Sequence, residues 1–277
     1  MRLLKQFVAV ALVAFAGNLG MGAVQGNAFL TLVLGVATAI LAVLVYAWAV
    51  RWSERRAPVE VAGKGAASAV GRGMLIGAGA FTAVIVNIAL VGGYRIEGFG
   101  SVTGAVGVLG FSAAAAVTEE LLFRGILFRI VEKWTGTWIA LGLTGLVFGL
   151  MHLGNQNANL WGAIAIAIEA GGMLAAAYAA TRTLWLPIGL HFAWNFVEGG
   201  VFGTEVSGNG ATQGLLHGVM SGPAALTGGE FGPEASTYAV VFGALLTIAF
   251  MWLARRRGNL VPMRPGARAD ASATLTQ

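Results

Sequence analysis

Cysteine is absent from this chain of 277 residues. That absence excludes disulfides, thiolate catalysis and cysteine-ligated metals. Charge is scarce: 10% of residues are Asp, Glu, Lys or Arg, where a soluble domain carries about 25%. No sustained alternation of polar and apolar residues runs through the chain, as a membrane barrel would require. What is present instead is apolar, 57% of all residues. Its runs approach the ~20 residues that a spanning helix needs. Only helices satisfy their own backbone in lipid. The expected fold is therefore an all-α, polytopic membrane helical bundle.

Eight spans are expected, over roughly 4–24, 28–51, 73–94, 102–130, 137–154, 159–181, 184–203 and 236–254. The basic, then apolar N-terminus resembles a signal peptide but lacks a convincing small-residue cleavage site, so it reads as a retained first span. With the N-terminus inside, Lys and Arg lie overwhelmingly on inner segments, and of those outside the spans only Arg95 falls on the outer side. Both termini are then cytoplasmic. The net charge of +5 thus reads as topology rather than as a nucleic-acid surface. Residues 1–257 form a single transmembrane domain in this reading, and 258–277 a disordered cytoplasmic tail. The 42 glycines point to close helix packing. The glycine-rich stretch 199–229 reads as a flexible outer loop, since it has no phosphate-cradle spacing.

A few polar groups interrupt the apolar runs, and an ionisable group at membrane depth usually marks a working site. Glu119, Glu120 and Arg124 lie on the fourth span, His152 on the fifth, His191 and Asn195 on the seventh. Glu120 and Arg124 are four apart and share a helix face, while Glu119 points about 100° away. Arg124 would neutralise Glu120 and leave Glu119 to a polar interior. A surface ion pair at a helix end is the plainer alternative. Phe148 and His152 lie one turn apart. His191 and Asn195, also one turn apart, both offer hydrogen-bond donors, or form an ordinary interhelical pair. If the fourth span runs on to Lys133 and the chain reverses near Gly136, Glu119 and His152 lie about 20 and 23 Å from that turn. They can then meet. A fourth span ending at Arg124 would leave Glu119 too shallow. Glu169, mid-span in the sixth helix, reads either as a partner supporting the site or as a hydrogen-bonded structural carboxyl. His217 reads as a solvated loop residue.

The stretches EELLFR at 119–124, FGLMH at 148–152 and HFAWN at 191–195 resemble, in order and spacing, the EExxxR, FxxxH and HxxxN motifs of the CAAX prenyl endopeptidase and bacteriocin-processing family of intramembrane proteases. This chain resembles a prokaryotic member. The resemblance implies a catalytic core at about 102–203 and a glutamate-dependent endopeptidase of a prokaryotic plasma membrane. Its substrate would be a membrane-associated peptide or protein cut near its end. It implies Glu119 as general base, His152 holding the attacking water, and His191 with Asn195 donating to the oxyanion. Glu120, Arg124 and Phe148 would support them. No cofactor is expected. A zinc ion on Glu119, His152 and His191 is the alternative, disfavoured because HExxH is missing. Two other functions compete: a proton-coupled transporter, against which no convincing inverted repeat is found, and a non-enzymatic immunity or scaffold protein of the same family.

Overall fold

The computed structural model describes residues 2–210 and 212–263. Helices α1 (Arg2–Ala23), α2 (Ala28–Glu54) and α3 (Ala66–Leu90) come first. Strand β1 (Tyr94–Phe99) leads into α4, which runs unbroken from Val102 to Thr135. After α5 (Thr137–Met151) and α6 (Leu160–Thr181) comes α7 (Trp185–Asn195), extended by a π-helical turn at Phe196–Val201. A segment containing β2 (Leu216–Met220) connects it to α8 (Thr237–Arg256). Asn27, Ser101, Asn159 and Ser236 cap α2, α4, α6 and α8, each accepting a backbone N–H of the first turn, as short polar caps do.

The bundle is all-α apart from one antiparallel pair, β1 with β2, irregular between Ile96 and Gly98. Among the described residues seven helices are long and apolar enough to cross a membrane. The eighth expected span, at 184–203, is α7 and its π turn, of 11 and 6 residues. At ~1.5 Å per residue that makes about 26 Å, a little short of the ~30 Å hydrocarbon layer. It is also the helix wrapped most completely by others, since nearly all of Leu186–Gly200 is buried. α4 continues past Arg124 to Thr135 and the chain reverses at Gly136, whose φ of 81° suits glycine. This is the longer of the two alternatives for the fourth span.

Small residues set the helix spacing. A β-carbon at Gly73 or Gly77 of α3 would collide with the backbone of Leu186 or Leu190 on α7, and one at Gly189 with that of Val70. α3 therefore lies directly on the helix that carries His191 and Asn195.

One end of the bundle is pinned by buried charge. Arg129 of α4 bonds Glu54 of α2 at 2.6 Å and Gln6 of α1 at 3.1 Å, and Arg56 bonds Glu60 at 2.7 Å. Arg182 bonds Glu132 at 2.5 Å and reaches the carbonyl of Asn259. Residues of the expected basic loop and inner segments thus include buried ion pairs as well as surface charge. At the same end Trp52 and Trp252 are exposed under Lys5 and Arg256, an arrangement suited to a membrane interface. Of the expected tail, Asn259 and Val261 are held against the bundle: Asn259 bonds Ala180 at 3.0 Å and Val261 bonds Thr137 at 2.8 Å. Its remainder, 264–277, lies outside the described residues.

Candidate active site

α4 supplies the acids. Glu120 is fully buried and Arg124 nearly so; their ion pair measures 2.8 Å. Between and beyond them the helix widens into a π-helix over Leu121–Phe128. π turns recur at functional sites because they re-aim side chains and release backbone carbonyls. Here the released carbonyl of Gly125 accepts from Tyr46 Oη at 3.1 Å and Arg129 Nε at 2.7 Å. A second π turn in α6, Ala167–Gly172, offers the carbonyls of Ala170 and Gly171 to Arg124 Nη2, at 2.9 and 3.3 Å. The guanidinium also lies 4.5 Å from the ring centre of Phe148. Arg124 is thus spent on a carboxylate, two carbonyls and an aromatic face, which is how a buried arginine is tolerated.

His191 of α7 sits between the two glutamates. Its Nδ1 is 3.0 Å from Glu120 Oε1, and its Nε2 is 3.9 Å from Glu119 Oε2. A carboxylate only accepts, so Nδ1 carries a proton in this bond. Glu120 therefore orients His191 as well as neutralising Arg124, a second duty beyond the ion pair expected from spacing. Glu119 is the one acid of the pair with solvent access, 23% of its side chain.

His152 ends α5. Its Nδ1 donates to the Phe148 carbonyl at 2.8 Å, which fixes the tautomer and leaves Nε2 with its lone pair. The Phe148 ring packs against both imidazoles, at 4.9 Å from His152 and 6.3 Å from His191. His152, His191 and Asn195 line one small cavity together with Phe148. It has room for about one water molecule. Asn195 is buried, and among the described residues its carboxamide makes no hydrogen bond. It is free to donate to something placed in the cavity.

Glu169 lies in the α6 π turn, fully buried, with its Cα against Gly243 of α8. Neither of its oxygens has a hydrogen-bond partner, so the reading as a hydrogen-bonded structural carboxyl is not what the structure shows. Among the described residues no three His, Asp or Glu side chains are grouped to hold a metal ion, Glu119, His152 and His191 included.

The sequence reading missed the polar wall of the cavity. Ser207 and Glu234 line it, the first from the stretch 199–229 expected to be a flexible loop and the second from just beyond it. That expectation is corrected: the stretch contains a strand, and Val206, Ser207 and Thr227 are buried. Tyr94 of β1 ties its start to the bundle, donating to the Phe202 carbonyl at 2.9 Å. Burial pushes the Tyr94 hydroxyl up to about 12, so it remains a donor at neutral pH. His217 is exposed on β2, as expected. A lone Glu or Ser among glycines and prolines carries no periodic signal. The nearest hint was the Pro-Glu-Ala-Ser run leading into the last span.

Residues 101–197 match a family model described as Rce1-like, type II CAAX prenyl endopeptidase Rce1-like. The match takes in all three motifs and supports the CAAX prenyl endopeptidase and bacteriocin-processing family. No curated protein and no solved structure matches the chain.

Proposed function

Taking residues 101–197 as a CAAX-protease-type membrane domain, we propose that the protein is a glutamate-dependent endopeptidase that hydrolyses a peptide bond of a membrane-associated substrate without a metal. The observation that carries this reading is the arrangement around His191: a part-exposed carboxylate at 3.9 Å from Nε2, and an unengaged carboxamide one turn along that shares a cavity with His152.

Glu119 takes a proton from water while His152, through its unprotonated Nε2, accepts a hydrogen bond from the same water and holds it. The hydroxide attacks the scissile carbonyl. Negative charge grows on the carbonyl oxygen, where the Asn195 carboxamide and, in the doubly protonated ring, His191 Nε2–H donate to it. In other proteases one such donor is worth about 3–4 kcal/mol. The tetrahedral intermediate collapses, the C–N bond breaks, and Glu119 returns its proton to the leaving amine. Glu120, Arg124 and Phe148 hold His191 and the π turn in place. The charge distribution fits both termini inside, and the family resemblance suggests a prokaryotic plasma membrane as the location.

The test is hydrolysis of an internally quenched, farnesylated peptide by the protein in proteoliposomes. Glu119→Gln keeps the side chain's shape and removes its basicity, so turnover should vanish while the protein stays folded. Full turnover by Glu119→Gln means that the base is a different group.

A further inference from the structure

The segment between α7 and α8 joins two parts of the site that are far apart in sequence. On one side it is stitched to the chain that follows His152. Asn155 Nδ2 donates to the Ser207 carbonyl at 2.6 Å, Asn157 Nδ2 to Glu205 Oε1 at 2.6 Å, and Trp161 Nε1 to the Ala235 carbonyl at 2.8 Å. On the other side it bonds the π turn of α7 through Thr204, Thr212 and Leu215, and it grips the turn of α7 that carries His191 and Asn195 through the carboxylate of Glu234. Glu234 Oε1 accepts from Trp194 Nε1 at 3.1 Å and Oε2 from Ser207 Oγ at 2.5 Å. Trp194 is buried between the two donor residues of α7, its ring edge-on to Phe81 of α3 at 5.1 Å. Glu234 itself is 2% exposed and forms part of the wall of the cavity shared by His152, His191 and Asn195. Both of its oxygens are occupied, and both bonds lead to elements that hold the reacting groups.

We infer that Glu234 is a positioning residue of the site. It couples the α7 face bearing His191 and Asn195 to the segment that follows His152, and so sets the width of the cavity between the two imidazoles. As a contribution to peptide hydrolysis the role rests on the function proposed above; as a geometric coupling it does not. The two carboxylate bonds act in series: Ser207 hands the position of the His152 side to Glu234, and Glu234 hands it to Trp194. Loss of either bond frees the turn of α7 around Trp194, although Thr204, Thr212 and Leu215 still hold its π turn. The cost then falls on the transition state, whose oxyanion needs donors placed to within about half an ångström, and much less on ground-state binding.

The test uses the full chain carrying His217→Ala, so that His152 and His191 are its remaining histidines. Glu234→Ala, Glu234→Gln, Trp194→Phe and the double variant Glu234→Ala/Trp194→Phe are compared with that parent. Turnover of the quenched farnesylated peptide is measured, and so are the ring ¹⁵N signals of the two histidines. Glu234→Ala should lower kcat at least about tenfold with KM within about threefold, the signature of a group that acts in the transition state. It should also move the ring signals. Glu234→Gln keeps an acceptor for Trp194 and a donor to Ser207, and should restore both readouts. The double variant should be no worse than the poorer single, because both changes cut one chain of contacts. A kcat for Glu234→Ala within about threefold of the parent, a Gln variant as damaged as Ala, or multiplying losses would each overturn the inference. If the parent cleaves nothing, the proposed function fails. The ring signals alone then decide the coupling: displaced in Ala and recovered in Gln, it stands; unmoved in Ala, it falls. If Glu234→Ala does not fold, Ser207→Ala and Trp194→Phe, each cutting one bond, carry the same comparison.

Discussion

Asn195 is the residue whose chemistry is least ambiguous. Its carboxamide lines the cavity and makes no hydrogen bond among the described residues, so its N–H groups are open to a ligand placed there. Asn195→Ala should therefore cost little or no stability, and should lower kcat by about 10²–10³ with KM nearly unchanged. Steady-state kinetics in proteoliposomes together with a thermal melt decide this; an unchanged kcat would remove Asn195 from the oxyanion site. Glu120 should behave in the opposite way. Glu120→Ala strands Arg124 in the interior and deprives His191 of its anchor, at a cost of about 3–5 kcal/mol of stability, read as a large drop in the thermal midpoint. At this scale the sequence was informative wherever a residue type was out of place in its run. His152 from one span and His191 with Asn195 from another line one cavity. Glu120's bond to His191 was invisible because it depends on how α4 and α7 are rotated, which spacing within one helix does not determine.

The elements are where local pattern and tertiary geometry part company. The abundance of glycine did anticipate tight helix contacts, and α3 against α7 is an instance close to the site. Gly77→Val would push α3 off the Leu190 backbone and tilt His191 with it. The expected outcome is a lower thermal midpoint and a kcat loss of more than about tenfold, since a displacement near 1 Å can cost 10²-fold in rate. The same substitution at Gly79, beside which there is open space, is the control and should leave both quantities near wild type. The π turns escaped notice. Widening a helix by one residue per turn changes which residues share a face, yet the hydrophobic run reads the same. Only the carbonyls it releases give it away, and these become visible when Tyr46, Arg129 and Arg124 are seen donating to them.

Taken whole, the molecule is fastened at both ends by different means: buried ion pairs around Arg129 and Arg182 at one, and the Glu234 segment with the β1–β2 pair at the other. The order of the apolar helices was readable from hydropathy because lipid admits so few solutions, although among the described residues seven of them, against the eight expected, are long and apolar enough to cross a membrane. The connecting segment was not, since its order derives from contacts with residues 152–162 and 194, remote in sequence. That order has a measurable consequence. Despite its glycines, the segment 202–235 should resist proteinase K in intact proteoliposomes, because its backbone and side chains are bonded into the bundle and must open before cleavage. Rapid cutting within it at native temperature would show that those bonds do not hold it.

The seam between α2 and α4 bears on how the bundle meets the acyl chains around it. A β-carbon on Gly35 would land on the carbonyl of Gly110, and one on Gly110 on the backbone of Thr31 and Leu32. Main chain rests on main chain there, with no gap for even a methylene. A greasy tail cannot comb its way between those two helices at that depth while they stay as they are. Those two glycines close this one crossing to lipid.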